Sequence, residues 1–175
     1  PVVGGHRLGR DPRDFGDDLV AVLAEVPALM PALHLPAQAG SDRILALMGR
    51  GYTAAQYRGL VDRLRRAVPD LALSSDFIVG FPGETDEDFA ATMTLARAVG
   101  LTTGFVFKFS PRPGTRAAVL PDRVPDTVVA ARHRELLDLV NARAGAAAAG
   151  FVGREVAVLV EQVADGVARG RTREN

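Results

Sequence analysis

The chain contains no cysteine among its 175 residues. It can therefore form no disulfide and can offer no thiolate ligand to a zinc ion or an iron–sulfur cluster. The sequence also has no apolar run of membrane-spanning length and no signal-peptide pattern at its start. These absences predict a cytoplasmic protein that has no membrane partner.

The chain also has no excess of positive or negative charge, because 21 basic side chains balance 21 acidic ones. Net charge therefore neither supports nor excludes an RNA partner, and a local basic patch would still be compatible with one. Lys108 is the only lysine, and the abundance of Arg and Ala fits a GC-rich coding sequence better than a binding function. Apolar residues make up 47% of the chain, which is enough for the core of a globular domain.

The short motifs of several enzyme classes are also lacking. The sequence contains no Ser-His-Asp order, no phosphate-binding Walker loop and no zinc-protease helix. His34 could ligate a metal ion, but no second His or Cys lies at ligand spacing, so a hydrogen-bonded core histidine is the favoured interpretation. The sequence therefore predicts no metal site and identifies no catalytic residue.

Alternating strand and helix patterns fill most of the chain. Predicted strands cover residues 32–36, 71–79 and 103–109. Capping boxes, at Thr53 with Gln56 and at Thr85 with Asp88, open the helices between them. Strands repeating at this spacing, with helices between them, are typical of parallel βαβ units, and right-handed crossovers would place all three strand ends on one side.

The last fifty or so residues differ in pattern from the rest. A helical stretch covers residues 125–149 and an alanine-rich run ends at Gly150, which predicts a domain boundary there. Glu155 to Val160 alternates weakly and is predicted to form a strand of a small β module ending near residues 170–173. About twenty residues cannot complete such a module, and Val2 to His6 resembles the tail of an earlier element. We therefore expect a fragment cut at both ends.

Binding chemistry tends to lie where a parallel strand ends and its loop begins, and residues 74–85 form the clearest such junction. Asp76 interrupts an apolar strand, and a lone buried carboxylate is costly without partners. It is therefore predicted either to bind a ligand hydroxyl or to tie down a neighbouring loop. Gly80 would allow the backbone to approach a ligand closely. Glu84 and Thr85 are instead predicted to cap the next helix.

Further candidates lie near the other two strand ends. Gln38 and Arg50 flank the short helix that Ser41 opens, so a ligand above the strands could meet an amide and a guanidinium together. Alternatively, Arg50 is an ordinary exposed arginine and Gln38 satisfies loop backbone groups. Lys108 alternates with three phenylalanines and must point away from them, as a ligand contact or part of a buried ion pair. Arg112, in the Pro-rich loop that follows, either contacts phosphate or lies in a plain exposed turn.

Four ordered blocks closely resemble the radical S-adenosylmethionine (SAM) methylthiotransferases. They are HLPAQAGSDRIL at residues 34–45, MGRGYT at 48–53, SDFIVGFPGET at 75–85 and FKFSPRPGT at 107–115. Within that family, the segment from His34 to Pro36 and the SPRPGT loop look most like the branch that methylthiolates isopentenyladenosine next to the tRNA anticodon. The resemblance runs from about Asp11 to the end of the chain.

The resemblance implies an α/β fold in which residues 1–124 form the C-terminal part of an incomplete (β/α) radical SAM barrel. Residues 125–150 would be a connecting helix, and residues 151–175 the beginning of a small all-β, RNA-binding TRAM domain. The implied cofactors are SAM and [4Fe–4S] clusters, whose cysteine ligands are not in this chain. The implied partners are tRNA and the missing N-terminal part of the same protein.

The resemblance also assigns roles to single residues. It implies SAM contacts at Gln38, Ser41, Arg50, Asp76, Ile78, Val79, Gly80 and Lys108. Arg50 is the candidate for the SAM carboxylate, Asp76 is the candidate for its ribose, and the Ile78–Gly80 segment would lie against its adenine. Contacts to RNA are implied at Arg112, Arg171 and Arg173.

Alternative functions stay open beside a methylthiotransferase that acts on C2 of a modified adenosine. One is a non-catalytic RNA-binding fragment or paralogue that kept the fold and lost the cluster. Another is the related branch that modifies threonylcarbamoyladenosine in tRNA, which shares several of these blocks. A Cys-x-x-x-Cys-x-x-Cys motif encoded in frame upstream would favour an enzyme, whereas a natural start codon just before Pro1 would favour the non-catalytic alternative.

Overall fold

A computed structural model describes residues 12–173, so the opening segment from Val2 to His6 lies outside the described residues. The helices are α1 (Asp17–Glu25), α2 (Asp42–Leu47), α3 (Ala54–Ala67), α4 (Asp86–Ala98) and α5 (Asp126–Ala149). The strands are β1 (Ala32–His34), β2 (Ala72–Val79), β3 (Thr103–Lys108), β4 (Leu159–Ala164) and β5 (Val167–Arg171). Short 3-10 turns occur at Pro12–Asp14 and Arg116–Val119.

The first three strands form one parallel sheet in chain order, β1-β2-β3. His34 lies opposite Ser74, and Phe77 lies opposite Val106. Helices α2 and α3 connect β1 to β2, and α4 connects β2 to β3. The βαβ prediction is therefore confirmed, and the carboxyl ends of all three strands lie along the same edge of the sheet.

The ends of the crossover helices are determined by local sequence. Thr53 accepts a hydrogen bond from the Gln56 amide at 3.1 Å, and the Gln56 side chain accepts one from the Thr53 amide at 2.8 Å. The capping box at the start of α4 is formed in the same way. Helix α2 ends where Gly49 adopts a φ of +73°, a conformation that costs glycine little. The predicted caps are thus confirmed.

The two faces of the sheet differ sharply in burial. One face carries Leu33, Leu73, Phe77 and Val79, all buried in the core formed with the helices. Alternation along each strand sends the intervening side chains to the opposite face, which is called the open face below. It carries His34, Ser74, Asp76, Ile78, Phe105 and Phe107. No described helix covers Phe105 and Phe107, which are 53% and 49% exposed.

The first half of α5 packs on the sheet. Its buried residues are Val129, Arg132, Leu136 and Val140, which recur at helical spacing along one side. The His133 ring also lies 3.0 Å from the Val106 carbonyl oxygen of β3. This half of α5 therefore shares the core of the sheet.

Strands β4 and β5 form a separate antiparallel hairpin. Its turn is Asp165-Gly166, and both residues have positive φ, as the tight turns of two-residue hairpins require. The prediction of a strand at residues 155–160 is wrong by four residues, because β4 begins at Leu159. The reason is that the Asp-Gly turn determines which residues pair. Every residue of both strands is exposed.

Candidate functional site

The three loops that follow β1, β2 and β3 meet at one edge of the sheet. The backbone of Gln38 rejoins the sheet after β1 has ended, because its amide donates to the Asp76 carbonyl at 2.8 Å and its carbonyl accepts from the Ile78 amide at 2.9 Å. Gln38 has a φ of +67°. This left-handed conformation costs a residue with a Cβ roughly 1 to 2 kcal/mol.

Side chains behind the β1 loop hold it in this shape. The buried Tyr57 hydroxyl donates to the Leu35 carbonyl at 2.7 Å, and the Tyr52 hydroxyl donates to the Ala37 carbonyl at 3.2 Å. The Ala37 amide donates to the Ser75 hydroxyl at 3.0 Å. Burial raises the pKa of Tyr57, so its hydroxyl stays protonated and remains a donor. The strained conformation of Gln38 is therefore imposed by a buried hydrogen-bond network.

Helix α4 supports the same loop from another direction. The Gly40 amide donates to the Thr92 hydroxyl at 2.9 Å. A Cβ on Gly40 would lie 2.4 Å from the Ala91 carbonyl oxygen, so only glycine allows this contact between backbones. The β1 loop thus packs directly against α4.

Asp76 lies on the open face, within hydrogen-bond distance of a histidine. The His34 Nε2 atom is 3.2 Å from Asp76 Oδ2, and the His34 Nδ1 atom is 2.9 Å from the Ser74 hydroxyl. The side chains of His34 and Asp76 keep 25% and 26% of their exposure. The prediction that His34 is hydrogen-bonded is confirmed, and it is only partly buried. Asp76 is a tethered carboxylate that still faces solvent.

The β2 loop is shaped by a contact with α5. Gly80 has a φ of +74°, and a Cβ there would lie 2.5 Å from the Val129 side chain. Glycine is therefore required at this position by helix packing. The Gly80 amide donates to Glu84 Oε2 at 2.8 Å. The prediction that Glu84 and Thr85 both cap α4 is correct only for Thr85, because the Glu84 carboxylate turns back to Gly80.

A buried arginine completes this arrangement. Arg132 donates to Glu84 Oε2 at 2.8 Å and to Asp86 Oδ1 at 2.6 Å, and its guanidinium lies over the Phe89 ring at 5.6 Å. Burial raises the pKa of Glu84, against the opposing effect of hydrogen bonds from Gly80 and Arg132. Sequence analysis missed Arg132. The available signal was its place on the apolar stripe of α5.

Comparison with known proteins decides the family. The sequence profile of the radical SAM superfamily matches residues 5–96, which is more than half of the chain. The chain belongs to the radical SAM superfamily. The backbone agrees with this. It resembles the radical SAM enzyme coproporphyrinogen III oxidase of Escherichia coli with a TM-score of 0.63, over 76% of this chain and 31% of that one. The two sequences are only 19% identical, so this likeness concerns the fold alone.

Within this superfamily, the chain is closely similar in sequence to synthases that share one name. The chain is 52% identical over 151 residues to the tRNA-2-methylthio-N(6)-dimethylallyladenosine synthase of Paracoccus denitrificans, covering 86% of the chain and 34% of that protein. It is 48% identical over 170 residues to the synthase of the same name from Thermobifida fusca, covering 94% of the chain and 34% of that protein. The radical SAM chain therefore spans about a third of the length of these relatives.

The geometry of this radical SAM chain brings some of the predicted cofactor contacts together. Asp76 and Ile78 are neighbours on the open face, and the Gln38 backbone is hydrogen-bonded to the backbone of both. The Val79 side chain is buried on the other face, so only its backbone could reach a ligand there. Lys108 pairs with Val79 in the register and also points away from the open face. It is exposed, so the predicted alternative of a buried ion pair is wrong.

Ser41 and Arg50 have different environments. The buried Ser41 hydroxyl caps α2 and donates to Asp88, so it acts within the fold. Burial would raise the pKa of Asp88, but hydrogen bonds from Arg43, Ser41 and Thr85 outweigh burial and lower it to about 2. Arg50 is half-buried, and its buried Nε has no hydrogen-bond partner within residues 12–173. Arg50 therefore carries a buried donor that the described residues leave unsatisfied.

The predicted RNA contacts are exposed. Arg112 lies in a turn closed by Thr115, whose amide and hydroxyl both bond to the Arg112 carbonyl. Arg171 pairs with Glu161 on the hairpin. Arg173 donates to carbonyl oxygens of the loop after α1, at Pro27 and Leu29. Of these three guanidinium groups, only that of Arg112 has no hydrogen-bond partner in the described part of the chain.

Among residues 12–173, none of the helices combines the length and the hydropathy that a membrane span requires.

Proposed function

We propose that the chain is part of an enzyme that adds a methylthio group to C2 of a modified adenosine next to the tRNA anticodon. The observation that carries this proposal is the identity of about one half to synthases of that name over most of the chain. The open face supports it, because the carboxylate of Asp76 and the apolar side chain of Ile78 adjoin there, beside the backbone of Gln38.

The residues present fit SAM. The Gln38 side-chain amide and the Arg50 guanidinium provide donors, and Asp76 provides a carboxylate that can accept from ribose hydroxyls. Arg50 would bind the SAM carboxylate, since a guanidinium suits that group. The adenine would lie along the segment from Ile78 to Gly80. When bound, SAM supplies radical chemistry and a methyl group, together with [4Fe–4S] clusters whose ligands lie outside this chain.

Two predicted SAM residues contribute in other ways. Ser41 supports the site indirectly, since its hydroxyl ties the β1 loop to α4 through Asp88. Lys108 is exposed at the end of β3, and its ammonium group has no hydrogen-bond or ion-pair partner among the residues described. We propose that Lys108 contacts the ligand only at the margin of the site, where its exposed ammonium group can reach a polar group of the ligand.

The hairpin is proposed to be the beginning of a TRAM domain, which would comprise residues 151–175. Its apolar side chains support this, since Val163 and Val167 are 70% and 57% exposed and an isolated hairpin is only marginally stable. Contacts with RNA are proposed at Arg112, Arg171 and Arg173. Arg112 is the best placed of them to contact a phosphate, because its guanidinium has no hydrogen-bond partner in the described part of the chain. Residues 1–124 and 125–150 would be the partial barrel and the connecting helix.

The test uses the longer protein that contains this chain, produced anaerobically and reconstituted with iron and sulfide. We expect iron–sulfur absorbance, release of deoxyadenosine from SAM, and methylthiolated isopentenyladenosine in tRNA digests. Two matched variants, Asp76→Asn in the site and the exposed Asp138→Asn, each remove one negative charge. Only Asp76→Asn should lose activity, which distinguishes a role in the site from a general effect of charge. Binding of tRNA without absorbance or deoxyadenosine would favour a non-catalytic RNA-binding protein. Modification of threonylcarbamoyladenosine instead would favour the related branch.

A further inference from the structure

His34 is held from three directions on the open face. Its Nε2 lies 3.2 Å from Asp76 Oδ2, and its Nδ1 lies 2.9 Å from the Ser74 hydroxyl. The Phe105 ring meets it edge-on from β3, with ring centroids 6.4 Å apart. These contacts span all three parallel strands. The imidazole therefore has little freedom to rotate.

The hydrogen bonds indicate which nitrogen carries the proton. A carboxylate only accepts, so Nε2 donates to Asp76 and the neutral ring accepts at Nδ1 from the Ser74 hydroxyl. If Nδ1 also gains a proton, it can donate to Ser74, whose own proton can turn to the Leu33 carbonyl at 3.4 Å. The contact with Asp76 is kept in both states of the ring.

Asp76 is fixed at one oxygen only. Within the part of the chain that the structure describes, no donor bonds to its other oxygen, Oδ1, while Oδ2 is held by His34. Asp76 keeps 26% of its side-chain exposure. A carboxylate held at one oxygen and free at the other presents a directed acceptor, which suits a hydroxyl of a sugar.

We propose that His34 is a positioning residue that aims Asp76 at the ribose hydroxyls of SAM, an inference that rests on the function proposed above. The imidazole donates to one carboxylate oxygen and so prevents the group from rotating away from the ligand. Ser74 contacts His34 rather than Asp76, and its hydroxyl selects the tautomer in which Nε2 donates to Asp76. Loss of the hydrogen bond from His34 should therefore weaken the contact between Asp76 and the ribose.

The test measures ribose discrimination in the reconstituted longer protein. Affinities for SAM and for its 2′-deoxy and 3′-deoxy analogues are compared in each variant. We expect the unaltered protein to lose about tenfold or more in affinity when the recognised hydroxyl is removed. Asp76→Asn and His34→Leu should both reduce this ratio to within about threefold, whereas His34→Gln, whose amide can still donate to Asp76, should restore most of it.

The outcomes separate the two proposals. If the unaltered protein does not bind SAM, the proposed function fails and the role of His34 fails with it. If SAM binds and Asp76→Asn abolishes discrimination, but His34→Leu keeps the full ratio, the role of His34 alone is overturned. The ratio compares ligands on one sample, so partial unfolding does not mimic the effect. Nitrogen-15 NMR of His34 should show the Nε2-protonated tautomer, and a neutral Nδ1-protonated ring would also overturn the inference.

Discussion

Arg132 donates to Glu84 at 2.8 Å, and both side chains are buried. The pair joins α5 to the loop after β2, and the same carboxylate oxygen accepts the Gly80 amide. A loop beside the candidate cofactor site is therefore held by a buried ion pair in addition to its own turn geometry. The ion pair adds a polar contact to the apolar packing of Val129, Leu136 and Val140, which places the first half of α5 in the core.

Loss of one partner of this ion pair should be costly. Arg132→Leu alone should lower the free energy of unfolding by about 3 to 5 kcal/mol, because the Glu84 carboxylate stays buried without its partner. Glu84→Leu alone should cost less, because Arg132 still pairs with Asp86. The double variant should lose clearly less than the sum of the two. Urea unfolding measures these values. The neighbouring exposed Arg134 offers a control, since Arg134→Leu should change the free energy of unfolding by no more than about 0.5 kcal/mol. Losses that simply add in the double variant would contradict the coupling between the two residues.

Acid should weaken the fold through Asp88. The pKa of this group is lowered from 3.8 to about 2 in the folded chain, so its stabilising effect is fully present above about pH 4 and is lost as the pH falls towards 2. The loss should be on the order of 2 kcal/mol. Urea unfolding at pH 5 and near pH 2.5 tests this. Asp88→Asn should flatten the pH dependence in this range, whereas the exposed Asp138→Asn should leave it steep.

Arg50→Ala should weaken SAM binding by on the order of 1.5 to 3 kcal/mol, the scale of a hydrogen bond to a charged group. The physical reason is the loss of the whole guanidinium, whose buried Nε has no hydrogen-bond partner in the described residues. Isothermal titration of the reconstituted longer protein with SAM measures the loss. Arg58→Ala on the exposed side of α3 is the matched control. Unchanged affinity in Arg50→Ala would exclude its role at the SAM carboxylate.

Gln38 should show a conflict between stability and binding. Gln38→Gly relieves the left-handed backbone conformation and should raise the free energy of unfolding by up to about 1 kcal/mol. The β-branched Gln38→Val should lower it, because such side chains tolerate positive φ poorly. Both variants should bind SAM more weakly, since both lack the amide. Full SAM affinity in the glycine variant would show that the amide makes no ligand contact.

Local signals in the sequence were sufficient for most of the fold. The capping box at Thr53 depends on residues three positions apart, and the strand periodicity depends on the nearest neighbours, so neither requires knowledge of distant contacts. The start of β4 was misplaced because the pairing of a hairpin depends on its turn. The Asp165-Gly166 turn outweighed the weak alternation upstream of Leu159.

The sequence by itself determined the parallel βαβ order and the family resemblance, because ordered motifs and short-range periodicity are written along the chain. Only the tertiary structure decided how individual side chains are used. Arg132 looks like any other arginine until α5 packs on the sheet and buries it, and the link between His34 and Asp76 exists only because the strand register brings them together. The positive φ of Gln38 likewise depends on tyrosines and on sheet bonds that fold in from distant segments.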